Sequence, residues 1–233
     1  NNSNGGEGKV EKESQVRELV HLVNLYGNTF HDEKKNGYIT LKKETHNETW
    51  ALDSSGFYEW LEYFAYNNMK DVPSEYTLKS VITVLHAQAK HDGDEHRVYI
   101  RCAPHEDGYL IDMTNDDWQV IWVGPNGWEV WGESPVKFIR SNLATAFPTP
   151  VNGDQSRFDE FWSHVNIPEQ CRTLVTTFML DSLRPDTDFT ILELTGEHGT
   201  AKSSTHKRLR QLTDPTSVPL RSAPKDVQDI FVS

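Results

Sequence analysis

Val16, Leu19, Val20, Val23 and Leu25 recur at roughly three- and four-residue intervals, and this spacing predicts a helix over "SQVRELVHLVNLY". Alternating apolar and polar positions in "GNTFHDE" and "NGYITLKK" predict strands, broken at Gly27 and at the turn pair Asn36-Gly37. Ser54 or Ser55 suits the cap of an aromatic-rich helix through "SSGFYEWLEYFAYNNM". A further helix is predicted to start at Pro73-Ser74 and run through "PSEYTLKSVITVLHAQAK", with Leu78, Val81, Ile82 and Leu85 on one stripe.

The pattern then changes period. "HRVYIRCAP", "DGYLIDMT", "WQVIWVG", "GWEVWG" and "VKFIRS" are short alternating runs separated by turn material, which predicts an antiparallel meander. The expected product is an α+β module over residues 16–146, preceded by a flexible tail or linker over 1–15. "FPTPVNGDQ" has two prolines, a glycine and no periodicity, and marks a linker at 147–154. Beyond it, "SRFDEFWSHVN" and "PEQCRTLVTTFMLDSLRP" predict two helices, with Pro168 and Pro185 at the favoured ends of the second. A strand candidate, "DFTILEL", a glycine turn and a helix candidate, "AKSSTHKRLRQL", complete the order that a phosphate-binding loop requires.

Composition narrows the class. At 36% hydrophobic and 25% charged, the 233-residue chain reads as one large or two modest globular domains rather than a disordered one. No apolar run approaches a membrane span, and the polar first fifteen residues lack the apolar centre of a signal peptide. Two cysteines make no disulfide framework, so a cytoplasmic setting is expected. The net charge of −12 argues against a surface that binds nucleic acid all over. The acidity lies in front: the first 150 residues carry 14 Lys/Arg against 23 Asp/Glu, and the rest 9 against 12. The opening asparagine and the closing "DVQDIFVS" read as those of a fragment.

The chemistry gathers between Gly196 and Ser204. A loop of the form Gly-x-x-x-x-Gly-Lys-Ser/Thr curls so that backbone N–H groups face the phosphates of a nucleotide. Its lysine reaches the outer phosphates, its hydroxyl ligates magnesium, and the following helix adds its positive N-terminal end. Here Gly196 opens the loop, Glu197 and His198 follow, and Gly199 gives a second permissive position before Thr200. Lys202, Ser203 and Ser204 come at the right spacing, with Ala201 in place of the last glycine. Alanine is tolerable there in a helical conformation and costly at positive φ; at the first turn of a helix the helical conformation is expected. Lys207, Arg208 and Arg210 read as a solvated helix face.

"GEHGTAKS" resembles the loop of minichromosome-maintenance helicases, in which alanine before the lysine is normal. The wider stretch from Arg172 to Ser233 is similar to the ATPase segment of phage- and mobile-element-encoded primase–helicase-like proteins of the AAA+ or superfamily-3-like kind. A helix, "LRP", a strand, the loop and a "DP…PLR…P…D" stretch run there in the same order. "WALDSSGFYEWL" to "VKFIRS" is more weakly similar to the module that precedes that ATPase. The resemblance implies that residues 155–233 are the helical lead-in and opening part of an α/β P-loop NTPase domain. It also implies ATP and magnesium as cofactors, with Lys202 on the phosphates as the catalytic contact and Ser203 on the metal. For the whole protein it implies a homo-oligomeric ring acting on DNA through regions outside this chain. No apolar run after Leu194 ends in paired acids, so hydrolysis by these residues is expected to be weak.

Other clusters carry less. His86, His91, Asp92, Asp94, His96, Cys102 and His105 offer metal-ligand atoms, but their spacing matches no standard site and such loops are usually solvated. Cys171 falls in an apolar helical pattern and reads as core. Trp118, Trp122, Trp128 and Trp131 with Tyr109 could stack single-stranded bases, yet Asp112, Asp116, Asp117, Glu129 and Glu133 surround them, which favours packing or subunit contact. The rival to a nucleotide-driven machine is a non-catalytic assembly module that docks a replication or subunit partner and carries a vestigial loop. A small-molecule phosphotransferase would need a lid and an acidic base that the sequence does not display.

Overall fold

A computed structural model describes residues 4–185, 187–188 and 190–220. It is a mixed α+β structure with antiparallel sheets. Helix α1, Asn4–Tyr26, takes in most of the stretch that reads as a tail. That stretch is rich in Glu and Lys, good helix formers, and extending a helix already nucleated by the apolar positions costs little.

Strands β1 (Gly27–His31), β2 (Gly37–Lys42) and β3 (Asn47–Ala51) form an antiparallel sheet in that order. The first two match the predicted strands; β3, "NETWA", gives too short and too polar a run to be read from periodicity. Helices α2 (Ser55–Asn68) and α3 (Glu75–His91) start where the sequence places them, because Ser54 Oγ accepts from Phe57 N and Ser74 Oγ from Thr77 N. Leu19 and Val23 of α1, Ile39 of β2, Phe57 and Leu61 of α2 and Val81 of α3 are fully buried in one core.

The meander follows as β5 (Cys102–His105), β6 (Gly108–Asp112), β7 (Val120–Gly124) and β8 (Gly127–Trp131), paired antiparallel in chain order. One run departs from that plan. Val98–Tyr99, β4, pairs parallel with Lys137–Phe138, β9, so the chain returns beside its own start. Ala103, Leu110 and Val120 pack on Phe138 on one face of the meander. Ile111, Met113 and Ile121 pack on the other, against Phe147 and Leu183.

Helix α4 (Gln155–Ser163) is capped by Asp154, whose side chain accepts from Arg157 N. A 3-10 turn at Glu169–Cys171 leads into α5 (Arg172–Ser182), and α6 spans Lys202–Thr213. Trp162, Val165, Val175, Met179 and Leu209 form a core among these three helices.

The strand expected at "DFTILEL" does not form a ladder. Residues 190–197 have no helix or strand assignment, and Phe189 lies outside the described residues. Leu192 and Leu194 are half-buried while Ile191 is 95% exposed, so the segment keeps the alternation of a strand without a neighbour to pair with among the described residues. Alternation sets which side chains face inward; a strand also needs a partner for its N–H and C=O groups.

The two halves are joined at the end of α6. Asp214 accepts from Arg101 Nε at 3.2 Å and Nη2 at 3.1 Å, and also from Arg210 Nη2 at 3.2 Å. Thr145 N donates to Pro215 O at 3.0 Å and Ser217 N to Leu143 O at 2.9 Å, across an Ala144–Thr216 bridge. Arg101 is steadied by Thr114 Oγ1 and by the backbone oxygen of Asp112. The Asp112 carboxylate, 1% exposed, takes Arg140 bidentately at 2.9 and 2.7 Å.

Candidate phosphate-binding loop

The loop between Leu194 and α6 curls because three of its residues take left-handed backbone: Gly196 (φ 152°), Gly199 (φ 86°) and Ala201 (φ 58°). The first two are glycines, as the turn requires. Ala201 corrects the expectation of a helical conformation. It sits at the cap position with φ 58° and ψ 21°, and the helix begins one residue later. The physical reason is that the chain must reverse out of the loop before its first helical residue, and the left-handed conformation makes that reversal.

Lys202 folds back into the curl. Its Nζ donates to Gly196 O at 2.8 Å, to Glu197 O at 2.7 Å and to Thr200 Oγ1 at 3.3 Å. Thr200 Oγ1 donates in turn to Glu197 O at 2.8 Å. A single ammonium therefore gathers both ends of the loop, using all three of its donors. Glu197, His198, Gly199, Ser203 and Ser204 are exposed around it.

Unlike α2, α3 and α4, α6 has no side-chain cap, because Ala201 offers no acceptor. The first N–H groups of a helix have no acceptor within it, and they carry the positive end of its dipole. The loop and these groups border a cleft of about 390 Å³. Its apolar wall includes Ile167, Pro168, Leu174 and Leu192; Lys202, Thr200 and Thr205 form the polar end. That volume is in the range of small-molecule sites.

Several contributors escaped the sequence. Asn166 ties the loop down: Nδ2 donates to Thr200 O at 3.0 Å, and its backbone N donates to the buried Thr205 hydroxyl at 3.3 Å. Glu193, three residues ahead of Gly196, is the one carboxylate bordering the cleft among the described residues. Cys171, expected in the core, is half-buried on the cleft wall. An asparagine 30 residues before a glycine turn carries no local signal of this kind. Ile167-Pro168, just ahead of a helix, could have been read as a wall.

The other candidates disperse. Among the described residues no three His, Cys, Asp or Glu side chains gather as metal ligands. His96 lies edge-on to Phe30 and His105 edge-on to Trp131. Burial pushes the Cys102 thiol up to about 12. Trp122 and Trp131 stack on each other at 5.8 Å, and Trp118 lies 3.8 Å beneath the Arg140 guanidinium. Lys207 and Arg208 are exposed, whereas Arg210 holds Asp214. Segment 221–233, the end of the resembling stretch, lies outside the described residues. No helix among the described residues is long and apolar enough to cross a membrane.

Compared with known proteins, the chain matches no protein-family model and no curated sequence.

Proposed function

We propose that residues 196–204 cradle the phosphates of a nucleotide, and that the chain is the ATP-binding part of a replication- or helicase-type ATPase. The observation that carries this reading is the Lys202 ammonium drawn into a loop of left-handed residues at an uncapped helix start. A phosphate entering the curl replaces neutral carbonyl acceptors by charged ones. Hydrogen bonds to ionised acceptors are roughly twice as strong as neutral ones, so Lys202 gains by the exchange. The exposed Ser203 hydroxyl, in the first turn of α6, is the magnesium ligand of this scheme. The apolar wall at Ile167, Pro168 and Leu174 accepts the base.

Turnover is a separate matter. In-line hydrolysis needs carboxylates to hold the metal and orient the water. One carboxylate, Glu193, borders this cleft among the described residues. In this scheme the described residues bind ATP and, with that one carboxylate, hydrolyse it slowly. Ring assembly and action on DNA are what the resemblance implies for the whole protein.

Isothermal titration of ATP into the native chain and into Ser203→Ala, each with and without magnesium, tests the scheme. Magnesium strengthens binding to the native chain and not to the variant. Equal magnesium dependence in both would remove Ser203 from the site.

A further inference from the structure

We propose that a second cavity, between the β4–β5 stretch and helices α5 and α6, binds a small amphipathic monoanion: a carboxylate on an apolar body. The cavity is an open cleft of about 550 Å³, larger than the cleft at the loop, and the two share no lining residue. Its walls come from elements far apart in sequence. Tyr99 and Ile100 stand on one side, Phe178 on another, and Leu209, 1% exposed, on α6. Ile100 is 68% exposed although it borders this apolar space. A ligand body seated there would cover it, and burial of that surface is favourable.

The head group is set by charge. Among the described residues, Arg101, Arg184 and Arg210 line the cavity together with a single carboxylate, Asp214. In a chain of net charge −12 this is a local reversal of sign. Asp214 already accepts from both Arg101 and Arg210, so it offsets one of the three guanidinium charges. Arg184, with 61% of its side chain exposed, pairs with Asp181 at 3.4 Å, outside the lining. The remaining positive charge suits one negative charge rather than a polyphosphate. Guanidinium groups present a planar fork that fits a carboxylate. A mostly apolar cleft with a few convergent polar groups is the usual form of a small-molecule site. This inference does not depend on nucleotide binding at the loop.

Isothermal titration of octanoate and of octanol into the full chain tests it, since the two share an eight-carbon body and differ in charge. Octanoate binds at least tenfold more tightly than octanol. Arg210→Gln and Arg184→Gln each weaken octanoate by about tenfold, the worth of one charge-assisted hydrogen bond, and leave octanol unchanged. Ser182→Phe, which projects into the cavity from α5, abolishes binding of both. If circular dichroism shows that Ser182→Phe does not fold, the two glutamine variants carry the decision. Octanoate binding no tighter than octanol, or unaffected by both glutamine variants, overturns the proposal.

Discussion

Lys202 Nζ lies 2.8 Å from the carbonyl oxygen of Gly196, six residues back along the chain. The side chain thus closes the loop that its own helix follows, and a second bond at 2.7 Å to Glu197 O sets the curl. Lys202 therefore has two tasks. Without ligand it holds the loop's shape, and in the proposed scheme it meets the phosphates when a nucleotide binds.

The left-handed backbone of Ala201 gives a prediction of sign. An alanine at φ 58° carries a conformational penalty that glycine avoids, of roughly 1–2 kcal/mol. Ala201→Gly is expected to stabilise the chain by about 0.5–1 kcal/mol, after allowing for the greater freedom of glycine in the unfolded chain. Ala201→Val is expected to destabilise it, because a β-branched residue fits this region worst. Urea unfolding of both variants checks the order. An unchanged or lower midpoint for Ala201→Gly contradicts it.

Asp112 and Arg140 make the costliest pair to break. The carboxylate is 1% exposed, accepts two bonds from Arg140, and sits beside the arginine that holds Asp214. Asp112→Ala leaves a guanidinium largely buried without its partner, a loss of about 3–5 kcal/mol. Denaturant unfolding followed by tryptophan fluorescence measures it. A loss below about 1 kcal/mol would place the pair among surface ion pairs.

Alkaline pH should weaken the fold. Burial raises the Cys102 thiol to about 12 from an ordinary 9.0. Burial, then the charge and hydrogen bond of Asp32, raises the Tyr38 phenol to about 12 from 10.0. A group whose pKa is raised in the folded state loses its proton first in the unfolded chain as pH rises. Their stabilising effect is full below about pH 9 and disappears as pH climbs towards 12. Urea midpoints between pH 8 and 11.5 should fall, and Cys102→Ala should flatten part of that fall. A variant that tracks the native chain over the whole range contradicts the assignment to Cys102.

Local signals carried most of the fold. Ser54, Ser74 and Asp154 mark helix starts because a cap acts within three residues of its own position. Likewise, Leu78, Val81 and Leu85 mark a buried face because the helix period is local. The parallel pairing of Val98–Tyr99 with Lys137–Phe138 was hidden because it depends on where a distant segment returns. The same holds for the absent ladder at 190–197, since a strand is a relation between two segments. At the loop, Gly196, Gly199 and Lys202 were legible as spelling. The left-handed Ala201 and the tether from Asn166 belong to how the chain closes in space.

The central claim is that Lys202 meets a nucleotide's phosphates. Titration of a fluorescent ATP analogue into the native chain and into Lys202→Ala, with magnesium present, tests it most directly. Losing a charge-assisted contact to phosphate should weaken binding at least tenfold, about 1.4 kcal/mol or more. The same affinity in both proteins would contradict the claim and favour a docking module with a vestigial loop.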